Sequence, residues 1–373
     1  MKRIYESRSC LILLVMIAIF NCSLTQSFSS EKPIKAIMNV PWGPESAVGL
    51  QAKDFVDLVA EKTNGRLLIQ AYYSSSLYGL DQQTSMLQLN TIQFGSQSGW
   101  FWQKLDLVCR LTWTPFFFPN KEKMADWYKS KNVQNFIESY MGKKYGLINL
   151  GDIGWVGSNP LLWSTDWVLD SLDKWKGKRL ATWSNSDDSF LAAFGAMGLS
   201  TNFSTHYTQL QTGMVDGALG TAIPNLKSCG LGEFIKYRHL PYLYHNALST
   251  VVNPTFWGKL PDDIREIIKN EVVPEVEKRA NERIKYIEQE MCSFAESSIG
   301  QKEIIVKPEV FFPMLDWVVT NIWEKNIKDY PESLPLWEEG AKQVGYTLKD
   351  GKFLGVREAW EKFYVEMYGG KLN

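Results

Sequence analysis

Only three histidines, His206, His239 and His245, are available in 373 residues for proton transfer or metal ligation. None belongs to an H-E-x-x-H pair that would hold zinc, and no G-x-S-x-G turn presents a nucleophilic serine. No glycine-rich phosphate loop and no C-x-x-C pair occurs. Carboxylates stand side by side at Asp187-Asp188 and Asp262-Asp263, as they do on any protein surface; the second pair opens a helix, whose dipole favours negative charge. Catalytic residues, metal ligands and cofactors are therefore expected to be none. What the chain has in abundance is indole, with 15 Trp. Indole supplies a broad rigid face, one N–H donor and a partner for cations, so the chemistry on offer is noncovalent capture. The candidate contacts are Trp42, Gln97, Trp100, Trp155, Trp183 and Asn185, at or near the ends of expected strands, where open α/β sheets bind ligands. For the tryptophans the competing role is core packing, and for Gln97 a solvated loop.

The elements that must position these residues follow from hydrophobic spacing. Ile34 to Val40 is an apolar run of strand length that ends at Pro41-Trp42-Gly43-Pro44. Val48, Ala52, Phe55, Val56 and Val59 predict a helix from Ser46 to Lys62, stopped at Thr63-Asn64-Gly65 with Gly65 as a left-handed cap. A strand at Leu67–Tyr73, a helix at Asp81–Leu89 and a strand at Thr91–Ser96 complete a β-α-β-α-β run, which implies parallel strands with crossover helices. The pattern resumes with strands at Lys144–Asp152 and Arg179–Trp183, then helices at Phe190–Met197 and His206–Gly213. Two α/β lobes are expected. The longest helical signal runs from Pro261 to Ser298, with one apolar stripe and a kink at Pro274. Beyond Ile299, the tail carrying Trp317, Trp323, Trp337 and Trp360 either caps the lobes or makes a dimer contact, so the oligomeric state stays open.

The balance of 40 basic and 41 acidic side chains leaves no electrostatic footprint for nucleic acid. Lys2 and Arg3 precede an uncharged run from Leu11 to Phe20, too short to span a bilayer and suited to a signal peptide. Cleavage is expected near Ser27-Phe28-Ser29, giving a periplasmic chain; a lipid anchor at Cys22 is the weaker alternative. Export leaves Cys109, Cys229 and Cys292, read as three buried thiols with at most one bridge. The expected division is a signal peptide at 1–30, a first lobe at 31–150 with a return segment about 240–265, and a second lobe at 151–239. The long helix at 261–298 spans the lobes, and 299–373 is a Trp-rich helical extension.

The run from Tyr207 to Gly217 resembles a signature, roughly Y-x-A-L-Q-x-G-x-x-D-G, of the TRAP-transporter solute-binding proteins of the DctP type, with Gln209 in place of the usual Ala. Thr63-Asn64-Gly65-Arg66, Leu77-Tyr78-Gly79, Trp175-Lys176-Gly177-Lys178-Arg179 and His245…Asn253…Trp257-Gly258-Lys259-Leu260-Pro261 are similar to further family motifs in the same order. The resemblance implies a two-lobed periplasmic-binding-protein fold with hinge strands and a long bracing helix. It also implies a small-molecule ligand in the interlobe cleft, TRAP-type membrane permease subunits as partners, and no enzymatic activity. Asp216, inside the signature, is a ligand contact or a turn-fixing residue.

One departure bears on the ligand. The family presents a carboxylate-clamping arginine two residues past the lysine of its L-K-G-x-K strand entry. With Gly177 on the family glycine, that position falls on Ala181, which cannot pair with a carboxylate. The acidic residue that often follows the D-G pair is also missing from Ala218-Leu219-Gly220. Two readings follow. Either the ligand is neutral, aromatic, polyhydroxylated or cationic and held by the Trp set, or it is an organic acid reached by Arg110 or Arg179 from elsewhere. A periplasmic sensory module and, last, a secreted hydrolase are the competing functions.

Overall fold

The computed structural model describes residues 32–151, 154–201, 205–228 and 230–369; the side chains at 100, 101, 155, 156, 185, 186 and 228 also lie outside the description. The expected signal peptide, Cys22 and Cys229 fall outside it. Residues 35–369 form one compact unit. The fold is mixed α/β. Among the described residues a ten-stranded sheet has the order β2-β1-β3-β9-β5-β8-β6-β7, with two further strands on β9.

In chain order, β1 (Ile34–Asn39), α1 (Ala47–Lys62), β2 (Leu67–Tyr72), α2 (Leu80–Gln88) and β3 (Phe94–Ser98) make the first β-α-β-α-β run. Its parallel pairing is set by Met38 opposite Phe94. Ser46 caps α1 by accepting from the Gly49 N–H at 3.0 Å, and Gly65 leaves it at φ +74°. The helix α3 (Gly99–Leu105) and a 3₁₀ segment, Leu107–Trp113, follow. The expected strand at Lys144–Asp152 shrinks to β4 (Ile148–Asn149), because Lys143–Tyr145 is helical and the chain then turns through Gly146 at φ +58°.

Two long antiparallel strands carry the middle of the sheet: β5 (Gly154–Ser164) and β9 (Tyr237–Val252). Beyond them lie β6 (Arg179–Thr182), α4 (Asn185–Ala193), β7 (Met197–Ser200), α5 (His206–Gln211) and β8 (Gly217–Leu219). The pairing of β6 with β7 and with β8 is parallel. The helix expected at Phe190–Met197 instead starts five residues earlier and gives way to β7. Ser184 accepts from the Asp187 N–H at 3.4 Å while Asp187 accepts from the Trp183 N–H at 3.2 Å, a reciprocal cap that periodicity alone does not register.

The longest helix is α6 (Val273–Ser298), preceded by Asp262–Ile267 and a π turn at Ile268–Val272. The wide turn takes the place of the expected kink: Pro274 has no N–H to donate and its ring crowds the carbonyl four residues back, which lies in that turn. Val276, Ala280, Ile284, Met291 and Ala295 form its buried stripe. The crossing over β5 and α1 is close, since a Cβ on Gly154 would meet Gln51 Oε1 at 1.9 Å and the Ala280 Cβ at 2.9 Å. Asp54 of α1 receives Arg283 and, at 3.9 Å, Arg279 of α6.

After β10 (Lys302–Ile305), the tail runs through α7 (Pro308–Val318), α8 (Leu334–Val344), a hairpin of β11 (Thr347–Lys349) and β12 (Lys352–Leu354), and α9 (Val356–Tyr368). Trp323, Trp337 and Trp360 are fully buried. Three successive carbonyls of Pro115-Phe116-Phe117 are gripped by this tail. Trp323 Nε1 donates to Pro115 at 3.0 Å, Trp360 Nε1 to Phe116 at 3.1 Å and Tyr346 OH to Phe117 at 3.1 Å. Phe116 itself is held at φ +57°, a conformation a bulky residue keeps only when its surroundings fix it. The tail tryptophans thus work as core and as clamps on the 115–117 segment.

Candidate ligand-binding site

A cavity of about 420 Å³ opens where the loop after β1, the start of α1, β5, the turn after β8 and α6 converge. Its size suits a small molecule. Three indoles wall it. Trp42 comes from the turn after β1, and Trp113 from the end of the 3₁₀ segment, where it stacks on Tyr244 at 4.2 Å. Trp183 lies just past β6; its Nε1 donates to Thr221 Oγ1 at 3.1 Å and its ring meets the edge of buried His206 at 5.4 Å. Burial lowers the His206 pKa to about 4, so the ring beside Trp183 is neutral at physiological pH.

The polar groups in this wall include unmet acceptors and one unmet donor, Trp113 Nε1, which is buried with no partner among the described residues. Asn159 of β5 spends its Nδ2 on the Gly220 carbonyl at 2.7 Å, which fixes the amide and leaves Oδ1 buried with no partner among the described residues. Ser98 Oγ and Asn246 Oδ1, also in the wall, are likewise buried and unpartnered. Among the described residues the charged groups lining the cavity are Glu45, Glu290 and Lys227, and no arginine does so. Gly220, at φ +58°, lets the chain pass Tyr244, since a Cβ there would approach that ring to 2.8 Å. Glu288 of α6 accepts from the Ser158 N–H and pairs with Lys121 at 3.3 Å, fixing the irregular stretch of β5 that presents Asn159.

A second cavity, of about 630 Å³, shares Trp183 with the first. Hydroxyls and amides dominate its wall, and Arg110 of the 3₁₀ segment faces it. Asp187, close behind, is fully buried. Burial raises its pKa to about 6 against the hydrogen bonds it accepts from Tyr244 and the Trp183 N–H.

The residues singled out from sequence fall in different places. Trp42 and Trp183 line the first cavity. Gln97 is buried and accepts from Gln83 Nε2 at 2.9 Å; it lines neither cavity. The side chains of Trp100, Trp155 and Asn185 lie outside the described residues. Arg179 and Asp216 hold each other instead of facing a cavity. The Arg179 N–H donates to Asp216 Oδ2 at 2.8 Å, the two side chains pair at 3.5 Å, and Arg179 Nη2 reaches the Gly213 carbonyl at 2.9 Å. Ala181 is fully buried in a cluster with Trp163, Leu210 and Ala218 and lines neither cavity. Trp113, Asn159 and Asn246 went unnoticed in the sequence, because a 3₁₀ segment and an irregular strand carry no regular period to place them.

The family model for bacterial extracellular solute-binding proteins, family 7 (DctP), matches residues 38–325. Two curated relatives are C4-dicarboxylate-binding periplasmic proteins DctP. The one from Shewanella loihica is 27% identical over 226 residues, 59% of this chain and 64% of its own length. The one from Rhodobacter capsulatus is 24% identical over 231 residues, 60% of this chain and 66% of its own length. The chain thus spans just under two thirds of each relative. Among solved structures, a TRAP periplasmic solute-binding protein from Chromohalobacter salexigens with bound D-glucuronate has a TM-score of 0.73 at 19% identity, covering 83% of this chain and 99% of its own. DctP7 of Bordetella pertussis, an extracytoplasmic solute receptor binding pyroglutamic acid, has a TM-score of 0.73 at 16% identity, over 82% and 99%. The succinate-bound TRAP protein of Sulfurospirillum deleyianum has 0.70 at 20%, again over 82% and 99%. The family and these neighbours are solute receptors and not enzymes. A fold shared with such receptors, and a family match over most of its length, place this chain in the DctP family of bacterial extracellular solute-binding proteins, the receptors of TRAP transporters.

Proposed function

We propose that this protein is the exported receptor of a TRAP transporter, and that its solute is a small molecule with a flat apolar face and hydrogen-bond donors. The solute occupies the cavity of about 420 Å³ and is passed unchanged to membrane permease subunits. In this reading residues 1–30 direct export to the periplasm and are removed. The regions 31–150 and 151–239 act as lobes, β5 and β9 as the strands that flex between them, and the α6 region at 261–298 as the brace. A guest that touches both sides favours the closed state.

The observation that carries the choice of ligand is Asn159 Oδ1: a buried acceptor with no partner among the described residues, beside three indoles, in a wall to which no described arginine contributes. Such an acceptor rewards a donor and penalises a carboxylate oxygen. The indole faces favour an aromatic ring or an ammonium group. Glu45 and Glu290 against Lys227 add a mildly negative surround.

The test is a thermal-shift and calorimetric screen of amines, nitrogen heterocycles, polyols and carboxylates on the mature chain. Hits should fall among the donors and lose at least about tenfold in affinity in Asn159→Ala and in Trp183→Ala. Dicarboxylates that win the screen and are weakened by both substitutions would sink this ligand class while leaving the receptor role intact.

A further inference from the structure

We infer that the protein has a second solute site, for a small carboxylate, in the cavity of about 630 Å³ that also borders Trp183, with Arg110 as its anchor. The argument begins with an unspent charge. Arg110 lies largely buried in the wall of that cavity, and its Nε has no hydrogen-bond partner among the described residues. Among the described residues no carboxylate comes within ion-pairing distance of its guanidinium. The nearby charges are already engaged. Lys104 pairs with Asp81 at 2.7 Å, and Lys325 pairs with Asp329. Asp188 accepts from Thr182 Oγ1 at 2.7 Å. Asp187, which lies in the field of Arg110, is held by the Tyr244 hydroxyl and the Trp183 N–H. A desolvated guanidinium without a counter-ion is costly, and a ligand oxyanion removes that cost.

The rest of the wall narrows the class. A guanidinium fork matches a planar carboxylate in bidentate geometry. The presence of Asp188 and Asp329 in the same wall disfavours a doubly charged group such as phosphate. Asn321 and Ser200 offer an amide and a hydroxyl to further polar groups on the solute, and Trp317 offers a flat wall. The two cavities share Trp183, but Arg110 lines only the second and Asn159 and Trp42 only the first, so the anchor proposed here is separate from the first cavity's contacts.

The probe is 4-bromobenzoate, with 4-bromobenzamide as its uncharged counterpart. Crystals of the wild-type mature protein soaked with the acid should give a bromine anomalous peak in the Arg110 cavity; the amide should give none there. By calorimetry, Arg110→Gln should weaken the acid by at least about tenfold, and Arg110→Lys should recover part of that loss. A peak confined to the first cavity, no binding of the acid at all, or an affinity indifferent to Arg110→Gln in a protein with wild-type circular dichroism would each overturn the second site. If Arg110→Gln fails to fold, the anomalous peak decides alone.

Discussion

Ala181 and Asn159 are single positions on which the proposed choice of ligand turns, although Ala181 itself does not line the first cavity. Ala181 sits where the family resemblance expects a clamp arginine, yet it is sealed against Trp163, Leu210 and Ala218 with no exposure. An arginine there would need volume the cluster lacks, and its charge would have no partner. Ala181→Arg is therefore expected to cost at least about 3 kcal/mol or to prevent folding, read from thermal or urea melts. A variant that folds normally and gains dicarboxylate binding would mean that the cluster opens. Asn159 acts in the other direction, because its Oδ1 needs a donor that no described side chain supplies. At this scale the sequence was legible only in part. Trp42 and Trp183 stood out because indole is costly to place and each lies at a strand end. Arg179 and Asp216 stood out as well, and the fold uses them to tie the start of β6 to the turn before β8. A charged pair reads the same in sequence whether its partner is a solute or another side chain.

Among the elements, the tail has the clearest consequence. The residues after 325 lie beyond the family match, yet they supply two of the three donors that grip Pro115, Phe116 and Phe117. That segment is continuous with Trp113, whose ring lies on Tyr244 and in the wall of the first cavity. Trp360→Phe keeps the aromatic packing and removes the N–H. It should lower stability by roughly 1–3 kcal/mol, since it leaves the Phe116 carbonyl buried and unmet. Removing everything after residue 325 should abolish cooperative unfolding altogether, as followed by calorimetry, because Trp337, Trp360 and Tyr364 belong to the largest core cluster. A truncated chain that melts cooperatively would show the tail to be an accessory. The long helix offers a milder case, since its proline is matched by a π turn and its stripe is uninterrupted beyond it.

For the whole molecule, buried titrating groups set the response to pH. Burial holds His206 and His239 at about 4 and His245 at about 3, well below the ordinary imidazole range. Their stabilisation is complete above the unfolded value near 6.5 and is lost as pH falls towards 4, by up to roughly 3 kcal/mol each. Asp187, raised to about 6 by burial, works the opposite way: its contribution is present below about 4 and fades as pH rises through 6. Three groups oppose one, so unfolding free energy should rise from pH 4 to pH 6.5, with Asp187→Asn steepening the rise. A flat profile across that window would contradict the burial of these groups. Much of this architecture could be read before folding. Apolar runs of strand length, helical stripes and the left-handed cap at Gly65 are local, and local sterics and periodicity fix them without reference to distant residues. The motif order placed the chain in its family for the same reason, since each motif is a short contiguous signal. What the chain could not announce is which side chains face one another after β5 and β9 cross, because that depends on register shifts within β5 and on bonds between residues as distant as Phe116 and Trp360. Asn159 Oδ1 and Arg110 Nε are left without partners among the described residues only once the chain has folded, and a missing partner has no signature along the chain.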